Sequence, residues 1–269
     1  MLRIGLVGCG TIGTQLARTV DRRYRSRSRI VALHDRDRQR ALALQRQLSS
    51  APPVCSLSSL VRRSDLVIEA ASAQAAPAVV RAALGRGRSV MVMSTGGLLR
   101  DQAWRGLAAR TGSRVYLPSG ALAALDGVKA MRLGRLRRVT LTTRKPPRAL
   151  ADAPAARRLR ARLAGIRRPL LLFEGSPRAV VSGFPQNTNV AATLALACGS
   201  AASRVRVRVI ADPRLRRNVH ELDVQGERAR IRCRIESRAS RTNPKTSELA
   251  VHSALATLDG ILNPVIIGT

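Results

Sequence analysis

The run Gly8-Cys9-Gly10-Thr11-Ile12-Gly13 has the residue types and spacing to hold a pyrophosphate. Gly8 permits a tight turn, Gly10 lets backbone N–H groups approach phosphate oxygens, and Gly13 lets a helix pack closely on a strand. The pyrophosphate then sits at the positive end of the following helix, which makes Gly8, Gly10, Thr11, Ile12 and Gly13 the candidate phosphate-binding set. About 20 residues further on, Asp35 closes a second apolar run, where its carboxylate can accept both hydroxyls of an adenosine ribose. Proton chemistry needs a different side chain, and the chain has 3 histidines. His34 stands beside Asp35, where an adenosine would lie, and His252 falls inside a helical pattern. His220 shares parity with Leu222 and Val224, so it points to the covered face of a strand while Glu221 and Asp223 point away. An imidazole with an ordinary pKa near 6.5 exchanges a proton near neutrality. The same position suits a packing histidine, and the residues alone leave both readings open.

The elements that must position these groups follow from hydrophobic period. Over the first 110 or so residues, buried strand patterns at 4–7, 29–34, 64–70, 89–94 and 114–118 alternate with helical patterns at 14–20, 39–48, 77–84 and 101–110. Strands separated by helices imply crossovers and a parallel sheet, which is a doubly wound Rossmann domain. The pattern then changes. Val205, Val207 and Val209 alternate with arginines, as do Ala229, Ile231, Cys233 and Ile235, with another strand at 218–224 between them. Period-2 alternation predicts a mainly antiparallel sheet with one polar face, covered on the other by helices at 153–163 and 189–197. Asn243 and Pro244 have the chemistry of an N-cap and first helical residue for a last helix running to about Leu258. The expected organisation is a dinucleotide-binding domain at 1–118, an α+β domain at 119–242, and a C-terminal helix at 243–269 that packs back on the first domain.

Composition narrows the function further. No apolar run approaches the roughly 18 residues of a membrane span, and the first strand begins at once, which argues against a signal peptide. Cys9, Cys55, Cys198 and Cys233 have no paired spacing, so they read as reduced thiols of a cytoplasmic protein with no metal site. The formal net charge is +32, carried almost entirely by arginine. Such a charge raises the prospect of nucleic acid. The arginines are nevertheless spread over every segment, and aromatics make up 2%, too few for stacking platforms. A genome-wide bias towards Arg and Ala codons accounts for the same charge, and nucleic acid is not the expected partner.

Larger segments carry a family likeness. Pro118-Ser119-Gly120-Ala121-Leu122-Ala123-Ala124-Leu125-Asp126-Gly127, then Phe184-Pro185-Gln186-Asn187-Thr188-Asn189-Val190-Ala191-Ala192, then Asn243-Pro244-Lys245-Thr246-Ser247, resemble the L-aspartate dehydrogenase family in that order. The resemblance implies a two-domain enzyme with a nicotinamide cofactor that oxidises L-aspartate to iminosuccinate, which water converts to oxaloacetate and ammonia, with a place in NAD biosynthesis. His220 matches the family's catalytic histidine, and Ala123 and Asn189 match cofactor-binding positions. Asn187 and Asn189 offer amides able to fix the nicotinamide carboxamide, although helix capping would use them equally. Thr246 and Ser247, at a helix start, are candidates for a substrate carboxylate, with a capping box near Glu248 as the alternative. Asp35 repels a 2′-phosphate, which favours NAD, while Arg36 and Arg38 would let NADP be tolerated. One departure is Ala124, where glycine is expected in many relatives, and it bears on local helix packing. The likeness also implies a homodimer through the polar sheet face, where rows Arg204 to Arg208 and Arg228 to Arg234 would repel unless acids or anions intervene. Two alternatives remain: a dihydrodipicolinate- or homoserine-type reductase, and a basic nucleotide-sensing or nucleic-acid-binding protein.

Overall fold

In the computed structural model, residues 1–184, 188–237 and 247–268 are described, and they form two units, Met1–Pro118 with Val251–Ile266, and Ser119–Ala250 with Ile267–Thr269. The first unit runs β1 (Leu2–Val7), α1 (Thr11–Arg23), β2 (Ser28–His34), α2 (Arg38–Gln45), α3 (Leu57–Arg63), β3 (Leu66–Glu69), α4 (Ala76–Leu84), β4 (Ser89–Val92), α5 (Ala103–Thr111) and β5 (Val115–Tyr116). Its sheet has the order β2-β1-β3-β4-β5 with every pair parallel, the doubly wound arrangement that the alternating patterns require. α1 forms because Gly13, Leu16, Ala17 and Val20 recur on one face and bury it against the sheet. α2 is started by Asp37, whose carboxylate accepts from the amides of Gln39 and Arg40. α3 is an element that hydrophobic period does not reveal. Its 7 residues are too few to display a period, and it is fixed instead by the Ser56 cap and by burial of Leu60 and Val61.

The second unit runs α6 (Leu125–Met131), β6 (Leu136–Lys145), α7 (Arg160–Ala164), β7 (Leu170–Gly175), α8 (Pro177–Gly183), α9 (Thr188–Cys198), β8 (Val205–Ala211), β9 (Asn218–Gly226) and β10 (Arg230–Ser237). The sheet order is β10-β9-β6-β8-β7. All pairs are antiparallel except β6 with β8, so the sheet is mixed, though mainly antiparallel as the alternation predicts. The helix expected at 153–163 is instead a 3-10 turn, Pro154–Leu159, followed by the short α7. Val139, Leu141, Val207, Val209, Leu222 and Val224 form the covered face of the sheet and share one core with Val180, Phe184 and Leu194.

The opposite face carries the arginines, and it is not a uniform field of positive charge. Glu221 bonds Arg144 at 2.9 Å and Arg234 at 2.7 Å, Asp223 bonds Arg230 at 2.6 Å, and Glu174 bonds Arg208 at 3.1 Å. The acids that parity places outward therefore interrupt both arginine rows. The last helix, α10 (Glu248–Leu262), contributes Ala254 and Leu258 to the core of the first unit. The expected cap at Asn243 and Pro244 lies outside the described residues.

Candidate active site

In the first unit the three glycines answer to different demands. Gly8 has φ +97, and a Cβ there would strike the backbone of Ala70; a Cβ on Gly13 would overlap the carbonyl oxygen of Gly8. Both are fixed by the protein's own packing. Gly10 faces open space, with nothing within 4 Å of where its Cβ would stand. It also begins α1 without a side-chain cap, and the first turn holds no acid. The amides of Thr11, Ile12 and Gly13 are thus left without helical acceptors at a positive helix end, a cradle that fits a pyrophosphate. Asp35 is bound into the same loop. Its carboxylate accepts from the Cys9 amide at 2.7 Å and from the Asp37 amide at 2.8 Å, which sets its orientation at the end of β2. His34 turns its Nδ1 to the Cys55 carbonyl at 2.9 Å. Burial and the nearby Asp35 charge push the Cys9 thiol up to about 12, so it stays protonated.

One supporting residue in this unit escapes sequence reading. Glu69 ends β3 fully buried and accepts from the amides of Ala71, Ser72 and Ser94 at 2.8, 3.1 and 3.0 Å. Burial raises its pKa, against the lowering effect of those bonds. The carboxylate ties the turn after β3, which adjoins Gly8, to the turn after β4.

In the second unit, cross-strand register assembles the site. On the covered face, Leu141 stands between Leu222 and Val207, a wholly apolar row. The next row reads Ile235, His220, Thr143, Val209 across β10, β9, β6 and β8. The row after that brings Ser237 opposite Asn218 and Lys145 opposite Ala211. One face of one sheet therefore changes from apolar to polar within two residues, at the end where Thr143, Lys145, Asn218, His220 and Ser237 gather. All five are buried.

His220 is 4% exposed, with its Nδ1 3.0 Å from Thr143 Oγ1. That contact fixes the ring and leaves Nε2 for a reacting group. Burial, reinforced by the charge of Lys145, lowers its pKa to about 4, so the imidazole is neutral at pH 7. Lys145 is 8% exposed, and burial lowers its pKa to about 8. At pH 7 it is still mainly an ammonium. Sequence reading missed Thr143 and Lys145 because β6 was not recognised as a strand. The signal was present: Lys145 and Thr143 have the parity of Val139 and Leu141.

The remaining candidates lie on other segments of the chain. Ala123 is exposed in the segment before α6, and Asn189 is exposed in the first turn of α9. Ser247 has a buried hydroxyl without a hydrogen-bond partner among the described residues. Asn187 and Thr246 lie outside the described residues. Ala124 caps α6 with φ 63, in the left-handed region. The departure from glycine there is thus a matter of backbone conformation more than of helix packing. Among the described residues, no group of His, Cys, Asp or Glu could hold a metal ion, and no helix is long and apolar enough to cross a membrane.

Comparison with known proteins bears on this geometry. Residues 126–261 match the family described as "Aspartate dehydrogenase, C-terminal". Residues 8–118 match "Homoserine dehydrogenase, NAD binding domain". The chain is 45% identical to an L-aspartate dehydrogenase of Methanosarcina barkeri and 37% identical to one of Methanocaldococcus jannaschii, each match covering 100% of both chains. Among solved structures it resembles an aspartate dehydrogenase of Thermotoga maritima with a TM-score of 0.75 at 23% identity, covering 100% of both chains. A homoserine dehydrogenase of Thiobacillus denitrificans shares the fold at a TM-score of 0.59 and 14% identity, over 97% of this chain and 73% of that one.

Proposed function

The chain belongs to the L-aspartate dehydrogenase family, and from that premise we propose that it oxidises L-aspartate to iminosuccinate with NAD. Water then converts the imine to oxaloacetate and ammonia. NAD on the glycine loop of the first unit supplies the acceptor for the hydride that leaves the substrate's α-carbon. The rest is the work of this chain's side chains. His220, held by Thr143 and neutral at working pH, takes a proton through its free ring nitrogen, either from the substrate ammonium or from the water that attacks the imine. The observation that carries this reading is the buried, neutral His220 at the one polar end of an otherwise apolar sheet face.

Asp35 makes NAD the preferred cofactor over NADP. Its carboxylate is fixed by two backbone amides at the position where a 2′-phosphate would have to lie. Steady-state kinetics with both cofactors test this, and a much higher kcat/KM with NADP would refute it. Gly10→Val should raise the Kd for NAD at least tenfold with little change in Tm, because the added side chain meets ligand space and no protein atom. A homodimer through the arginine-bearing sheet face is part of this proposal, since Glu221, Asp223 and Glu174 temper the repulsion between the rows. Light scattering at physiological salt should give twice the 29.0 kDa chain mass. The activity itself is tested with a panel of amino acids and NAD, reading NADH absorbance. L-Aspartate should give the highest kcat/KM, and preference for a neutral amino acid such as homoserine would overturn the reading.

A further inference from the structure

Lys145 is a buried cation with no paired anion among the described residues. It ends β6 on the covered face, 8% exposed, and among the described residues no carboxylate forms an ion pair with it. The acids near it are committed elsewhere. Asp212, at the end of β8, donates its amide to the Lys145 carbonyl at 2.8 Å, but its carboxylate accepts from Arg214 Nε at 3.2 Å. Glu221 lies on the other face, between Arg144 and Arg234. From β9 the titratable group nearest in register is His220, which pairs with Thr143 two residues before Lys145 and is neutral. An ammonium taken out of water without a counter-charge is strongly unfavourable, so folds tolerate one where a ligand completes it.

The neighbours of Lys145 are donors as well. Continuing the register one step past Arg144 and Val219 brings Lys145 opposite Asn218, and Asn218 is opposite Ser237. The Ser237 hydroxyl is buried and has no hydrogen-bond partner among the described residues. An ammonium, a carboxamide and an unengaged hydroxyl in one row form a receptor for a carboxylate. We propose that Lys145, in a row with Asn218 and Ser237, binds a carboxylate of the substrate and holds the molecule beside His220. This deepens the function proposed above and rests on it: a dicarboxylic amino acid supplies the anion that the fold lacks. An arriving carboxylate also offsets the Lys145 charge felt by His220, which makes the imidazole a better base once substrate is bound.

The test uses succinate, a dicarboxylate with no amine to oxidise, titrated calorimetrically into the NADH-loaded protein. Lys145→Met should weaken succinate binding by about 30-fold or more, the scale for removing one member of a buried charge pair. The KM for L-aspartate should rise in proportion, while NADH affinity stays within about twofold. Lys145→Arg, which keeps the charge, should retain part of the succinate affinity. Without ligand, the melting temperature of Lys145→Met should equal or exceed that of the wild type, because a buried unpaired charge is gone. Unchanged succinate affinity in Lys145→Met overturns the assignment, as does a lower melting temperature, which marks a purely structural lysine. If the wild-type protein oxidises aspartate, such a result refutes the role of Lys145 alone. If the wild type neither oxidises aspartate nor binds succinate, the proposed function fails and this assignment falls with it.

Discussion

Arg144 and Lys145 are adjacent in β6 and face opposite sides of the same sheet. Arg144 sits in a half-exposed lattice of ion pairs, bonded to Glu221 at 2.9 Å, with Glu221 shared by Arg234 at 2.7 Å. Lys145 is buried on the same face as His220 and, among the described residues, has no acid paired with it. On the outer face charge is cheap, since water solvates what partners do not, and each exposed pair contributes about 0–1 kcal/mol. On the inner face the same charge is expensive, and nothing in the apolar rows of Val139, Leu141 and Val207 calls for it. The contrast separates the two roles of charge in this chain. The arginine excess lies where it costs little, and the titratable groups placed against the grain of the fold, Lys145 and His220, are the ones to which we assign the chemistry.

Acid unfolding should break the symmetry between the faces most strongly. The unfolded His220 titrates near 6.5 and the folded one at about 4, so between those values the unfolded chain binds the extra proton. Stability present above about pH 6.5 is therefore lost as the pH falls towards 4. Between pH 7 and pH 5 the loss from this one residue should be about 2 kcal/mol. Urea unfolding of the wild type and of His220→Asn at the two pH values measures it, and an equal slope in both proteins would refute the burial argument. Lys145 works at the alkaline end with the same sign: its buried ammonium is destabilising below about pH 8, and the penalty fades as the pH rises towards 10.5.

Much of this arrangement was legible in the sequence, in proportion to how local each feature is. The glycine loop, Asp35 and the alternation of strands and helices are contiguous patterns, and they gave the parallel sheet of the first unit. Parity along β9 and β10 assigned His220, Ile231 and Cys233 to the covered face and Glu221 and Asp223 to the other, as observed. Three things were harder to see. β6 was overlooked because its arginines and threonines mask the period-2 signal, and Thr143 and Lys145 were lost with it. Glu69 reads as an ordinary strand residue, and only the fold shows three amides converging on it. Ala124 looked like a packing change because a backbone torsion cannot be read from a residue type. Its φ of 63 predicts that Ala124→Gly stabilises the protein by about 1 kcal/mol, measurable as a higher Tm. An unchanged or lower Tm would count against a left-handed cap there.

The smallest expected effect belongs to the outer face. Glu221→Gln breaks its pairs with Arg144 and Arg234, yet should cost less than about 1 kcal/mol and leave kcat with aspartate nearly unchanged. A large loss of turnover would mean that the outer lattice supports the site and that the division between faces is false.

Substitution of the neighbouring residue tests the central claim most directly. His220→Ala should lower kcat with L-aspartate and NAD by roughly 100-fold or more, the usual scale for losing a general acid–base group. The Kd for NAD should stay within about twofold, because the phosphate and ribose contacts are assigned to the glycine loop and Asp35 of the first unit. A His220→Ala protein with a lower melting temperature but near-normal turnover in its folded fraction would show that His220 merely packs the sheet, and the account given for the inner face would be wrong.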